Sequence, residues 1–191
     1  MRILPVALSA VLLTAAAGVA GASDAVPAKG GHGHHFRAHG TFAPYTPGAT
    51  AVTYQPDLVP VGAKATVYGF TKSRTKTALV VKGLVPNREY GSHAHSKPCG
   101  AAPADSGPHH QHVPDPVQPS VDPEYANPEN EIWLDFTTDE DGIAYVMSTV
   151  DWGFTGDKRA HSVIIHETHT HTEPGKAGTA GARLACLNVD F

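Results

Sequence analysis

From Thr50 onward the chain is written in short runs rich in Val, Ile, Thr and aromatic residues, and it has no sustained 3.6-residue apolar period flanked by helix caps. The runs are TAVTYQ (50–55), AKATVYGF (63–70), TALVVKGLV (77–85), EIWLDFTT (131–138), AYVMSTV (144–150), HSVIIHET (161–168) and ARLACLNVDF (182–191). Each has the length of a strand, and Gly, Pro, Asn or Asp clusters bound most of them. Asp139-Glu140-Asp141-Gly142 makes a turn between two of them. Such a chain buries its apolar faces sheet against sheet, which predicts an all-β domain: an antiparallel barrel or sandwich of about eight strands. One stretch breaks the rhythm. Between Ser96 and Asn130, Pro114, Pro116, Pro119, Pro123 and Pro128 forbid regular pairing. A loop of that length is expected to carry function.

The first residues have a different character. Arg2, the apolar and small-residue run Leu4–Val19 and the sequence Ala20-Gly21-Ala22 have the form of a secretory signal peptide over residues 1–22. A secreted or extracytoplasmic protein is therefore expected. No other stretch approaches the ~18 apolar residues of a transmembrane helix, so no membrane anchor is expected. Residues 23–40 are rich in Gly, Ala and His with no apolar period and predict a flexible, His-rich arm, leaving 41–191 as one folded domain. Loss of Arg2 moves the formal charge of −4 further negative, which speaks against nucleic acid as a partner. A monomer is favoured. The two cysteines, Cys99 and Cys186, predict a disulfide in an oxidising compartment.

The 13 histidines fall into four groups: His32, His34, His35 and His39 in the arm; His93 and His95; His109, His110 and His112; and His161, His166, His169 and His171. On a strand, residues two apart share a face, so His93 and His95 can converge on one ion while Ala94 points away. His166 ends an apolar run that gives it a rigid base. Imidazole suits copper, zinc, iron and nickel.

Four patterns occur in order: Gly91-Ser-His93-Ala-His95 with Cys99 following, Gly107-Pro108-His109, Val163-Ile-Ile-His166-Glu167, and Gly178-Thr-Ala-Gly181-Ala-Arg183-Leu-Ala-Cys186. From about Thr53 to Phe191 the chain resembles the copper/zinc superoxide dismutase family. The resemblance implies a Greek-key β-barrel, with His93, His95, His109 and His166 as copper ligands and a Cys99–Cys186 disulfide. It implies Arg183 as the group that attracts the superoxide anion, and His109, the bridging imidazole of the family, as the proton carrier. The implied function is an exported copper-dependent dismutase that converts superoxide to oxygen and hydrogen peroxide. The alternative is a non-enzymatic extracytoplasmic copper-binding protein on the same fold.

The chain departs from the family pattern in its zinc subloop. No histidine lies between His112 and His161, and Ile132 aligns with the family's zinc aspartate. A copper-only centre is expected, with zinc unlikely. Glu129 aligns with a zinc-ligand histidine and Glu131 follows two residues on. Either carboxylate is a candidate to accept the His109 proton in place of zinc. His110, His112, His169 and His171 are candidates for accessory metal contacts, the first two together with Asp115.

Overall fold

The computed structural model describes residues 33–191 apart from Asp157; the expected signal peptide and arm residues 23–32 lie outside the described residues. The described chain contains β1 (His34–Thr41), β2 (Ala51–Thr53), β3 (Lys64–Thr71), β4 (Thr75–Lys82), β5 (Glu89–His95), β6 (Phe136–Thr137), β7 (Ala144–Val150), β8 (Ser162–His166) and β9 (Arg183–Asn188), with one 3-10 turn at Pro103–Ser106. They form two antiparallel sheets, ordered β1-β3-β4-β7 and β2-β9-β8-β5-β6. The chain changes sheet at β1–β2, β2–β3, β4–β5, β6–β7 and β7–β8, giving a Greek-key β-sandwich.

The core lies between the sheets. Val67, Leu79 and Val81 come from one sheet and Ala94, Val163, Ile165 and Leu187 from the other, all buried in one cluster. Each branched aliphatic side chain removed from water here contributes about 1.5–3 kcal/mol. Period-2 alternation then decides what is left for function. In β5, Tyr90 and Ala94 join the core, which turns His93 and His95 to the opposite face.

Two expectations need correction. The arm was expected to run to residue 40, but β1 pairs with β3 over its whole length, from His34↔Thr71 to Thr41↔Lys64. Its inward positions are Phe36, Ala38 and Gly40, and its outward ones are His35, Arg37 and His39. One large apolar residue in the strand leaves almost no alternation to read, yet Phe36 is buried against Phe191 at 4.8 Å between ring centroids. The run EIWLDFTT is a regular strand only at Phe136–Thr137. Upstream, the segment stays alongside β5 through Ala94 N→Ile132 O (3.2 Å) and Leu134 N→Ser92 O (2.7 Å) without forming a continuous ladder.

Candidate metal centre

Three backbone arrangements bring four histidines together. His93 and His95 stand on one face of β5, which pairs with β8 from Gly91↔His166 to His95↔Ser162. Gly91 permits the close approach there, because a Cβ would run into the Thr168 carbonyl and the Ala180 side chain. His166 ends β8 at a β-bulge: Ile165 pairs with Ala185, but His166 pairs with Arg183, so Leu184 is skipped. The bulge sets Arg183 directly across from His166. His109 arrives from the long loop, laid along the end of β5 on the side away from β8 by Ser96 N→Pro108 O (3.0 Å) and His110 N→Ala94 O (2.9 Å).

One ligand atom from each of His93, His95, His109 and His166 lies within 4.8 Å of the others, and no other group of three or more His, Cys, Asp or Glu among the described residues does the same. His93 and His95 are fully buried and His166 is 4% exposed, so the mouth of the cluster is at His109. The far nitrogens of three rings are held. His95 Nδ1 donates to Gly107 O (2.9 Å), His109 Nδ1 meets Glu131 Oε2 (2.8 Å), and His93 Nε2 meets Thr170 Oγ1 (2.7 Å). The inward nitrogens meet no protein group outside the cluster. His95 Nε2 and His166 Nε2 face each other at 3.3 Å, and His93 Nδ1 is buried with no partner. Buried lone pairs without a donor are costly unless a cation takes them, and an all-imidazole set suits copper, zinc, iron or nickel. The residues fit a metal ion.

Electrostatics agree. Burial, then neighbouring His109 and His166, hold His93 and His95 well below the ordinary imidazole pKa. His166 is pushed down to about 3 by burial, His109 and Arg183. Neutral imidazoles are the ligand form, so the fold keeps these rings ready for an ion.

A cleft of about 260 Å³ opens over the cluster, lined by His109, Gln111, Ser120, Glu131, His166 and Arg183 among others. Arg183 is steadied through Nη1, which donates to Pro103 O and Ser106 Oγ, both at 3.0 Å. The Cys99–Cys186 disulfide forms, tying the segment after His95 to β9, and Cys99 N donates to Asn188 Oδ1 (2.7 Å).

The remaining candidates sort clearly. Glu131, 1% exposed, accepts from Trp133 Nε1 (2.7 Å) and Gln111 Nε2 (2.8 Å) besides its contact with His109. Glu129 is exposed and only its backbone is engaged, its carbonyl accepting from Trp152 Nε1 (2.8 Å). His110 packs on Phe154 and Trp152, and His112 stacks nearly parallel on Trp152 at 5.0 Å. Asp115 accepts from Ser120 Oγ (2.7 Å) and Val117 N (2.7 Å). These three residues do not converge. Neither His169, bonded to Phe136 O (3.1 Å), nor His171, paired with Glu173 (3.1 Å), joins the cluster.

Sequence reasoning missed Gln111, Trp133, Asp135 and Thr170. Three of the supports, Glu131, Trp133 and Asp135, alternate with the buried Ile132, Leu134 and Phe136, so the period-2 pattern of 131–136 already marked them as one face. Nothing local marks Thr170, which reaches the cluster only through the β8–β9 loop.

No protein-family model and no curated protein matches the chain. Among solved structures, the Cu/Zn superoxide dismutase from Brucella abortus superposes with a TM-score of 0.53 at 17% identity, over 83% of this chain and 100% of that one. The clock protein EA4 superposes with a TM-score of 0.52 at 16% identity, over 81% and 92%. At such identities the likeness is one of fold, and what the chain has is the superoxide dismutase-like fold around a buried four-histidine cluster able to hold a metal ion.

Proposed function

We propose that the protein is an exported copper-dependent superoxide dismutase. The observation that carries the reading is the convergence of four imidazoles beside a small cleft that His109, His166 and one arginine, Arg183, line. His93, His95, His109 and His166 would hold the ion. Copper, when bound, supplies one-electron exchange with superoxide in both directions, giving oxygen and hydrogen peroxide. The protein's own groups do the rest. Arg183 offers a planar cation at the cleft wall and draws in a small anion. His109, at the cleft mouth, is the candidate proton carrier, and Glu131 holds its Nδ1 so that Nε2 is the nitrogen turned inward.

The same contact supports a copper-only centre. In the resembled family a zinc ion holds the far nitrogen of the bridging imidazole; here a buried carboxylate is hydrogen-bonded to it. The test is to load metal-free protein with copper and zinc in competition, measure metal content, and assay dismutation on the same sample. The reading requires about one copper per chain and turnover with negligible zinc. Stoichiometric zinc in a fully active sample would end the copper-only reading. Tightly held copper without turnover would instead favour a non-enzymatic copper-binding protein on this fold.

A further inference from the structure

We infer that Thr170 and Asp135 are a pair of positioning residues that select the tautomer of His93 and make Nδ1 its metal-binding atom. The inference rests on the reading of the four histidines as a copper site. Asp135 is at the centre of three bonds: Oδ2 accepts from Thr170 N (2.7 Å), and Oδ1 accepts from Thr170 Oγ1 (2.8 Å) and Ser92 N (3.0 Å). An ionised carboxylate only accepts, so the single hydroxyl proton of Thr170 is committed to Asp135. The 2.7 Å contact between Thr170 Oγ1 and His93 Nε2 therefore has the ring as donor. A neutral imidazole has one N–H. With it on Nε2, the lone pair sits on Nδ1, which is the buried ring atom left without a partner.

The hydroxyl is the necessary link. Asp135 Oδ1 itself is 3.8 Å from His93 Nε2, beyond hydrogen-bond distance. The chain Nε2–H···Oγ–H···Oδ1 passes the carboxylate charge to the ring and raises the basicity of Nδ1. It also joins three segments, β5 through Ser92, residues 131–136 through Asp135 and the β8–β9 loop through Thr170. Glu131 and Asp135 thus support two different ligands from one face of one segment, the first directly and the second through a hydroxyl.

The test begins on metal-free protein, with the nitrogen-15 shifts of the His93 ring. Wild type should carry its proton on Nε2. Thr170→Val should leave a mixture of tautomers, lower copper(II) affinity by about 10–100-fold and shift the copper electron paramagnetic resonance spectrum. Thr170→Ser should restore all three. Asp135→Asn keeps an acceptor for the hydroxyl but removes the charge, and should raise the copper reduction potential. A proton on Nδ1 in wild type overturns the inference. So does a Thr170→Val protein with wild-type tautomer, affinity and spectrum. A wild-type chain that has the Nε2–H tautomer and binds copper but does not dismutate superoxide sinks the proposed activity and supports this inference.

Discussion

At the residue scale the site depends on groups with one permissible hydrogen-bonding role. Glu131 faces three donors and offers none, which is what an ionised carboxylate supplies. Glu131→Gln would turn an amide against one of those donors and leave a buried group unpaired, at a cost of about 1–3 kcal/mol. We expect turnover to fall with it, while Glu129→Gln, on an exposed side chain, leaves both stability and turnover unchanged. Steady-state assay and denaturant unfolding of the two variants decide between them. His95→Ala or His166→Ala should abolish the copper spectrum and activity. His110→Ala should keep both and lose about 1–2 kcal/mol of packing on Trp152 and Phe154. The opposite result would put the ligand register off by one. Arg183→Ile is expected to lower activity severalfold at low salt. Because Arg183 also donates to Pro103 O and Ser106 Oγ, it should cost about 1 kcal/mol as well, more than a free surface cation would.

At the element scale, β1 and the disulfide are the two features with the clearest consequences. If β1 is part of the sandwich, Phe36→Ala should destabilise by about 3–5 kcal/mol, whereas His35→Ala and His39→Ala on its outer face should stay within about 0.5 kcal/mol. Equal and negligible effects at all three positions would return this segment to a flexible arm. The Cys99–Cys186 bond closes a separation of 87 residues, for which the chain-entropy model gives about 4–5 kcal/mol. Replacing both cysteines by serine should lower the denaturation midpoint accordingly. Copper affinity should fall too, since only residues 96–98 separate His95 from Cys99. Unaltered copper affinity in that variant would show that the hydrogen bonds along the edge of β5 hold the loop unaided.

At the scale of the whole molecule, the buried imidazoles couple folding to pH. His93, His95 and His166 are neutral when folded, with His166 held down to about 3, but each takes up a proton near 6.5 once unfolded. The unfolded chain therefore binds more protons below that pH. The metal-free protein should keep its full stability above about 6.5 and lose it steadily as pH falls towards 3. Thermal melts of metal-free protein across that range check this. Bound copper should delay the loss, because a metal that binds only the folded state adds stability by mass action. A melting temperature independent of pH between 7 and 4 in the metal-free protein would mean that the cluster is open to water.

The all-β class, the position of the long loop and the shared face of His93 and His95 were legible in the sequence because each rests on local pattern. Strand-length apolar runs demand sheets and period-2 spacing puts His93 and His95 on one face, whereas His109 and His166 were implied by the family resemblance, the residues alone leaving His109, His110 and His112 as equal candidates. β1 was not legible, because a strand with one large inward residue has no periodicity and is made by its partner β3. Nor was the choice of Glu131 over Glu129. Both carboxylates are local candidates that a strand would put on one face, and only the turn at 128–130, held by Asn127, leaves Glu129 in water while Glu131 begins the segment beside β5 and meets His109. Thr170 lies still further from local pattern, since its role depends on a loop folding back onto Asp135. The bulge that sets Arg183 opposite His166 belongs to the same class. Local pattern determines which face a residue takes, whereas register, loop closure and the partner of each polar atom are settled only when distant segments pack together.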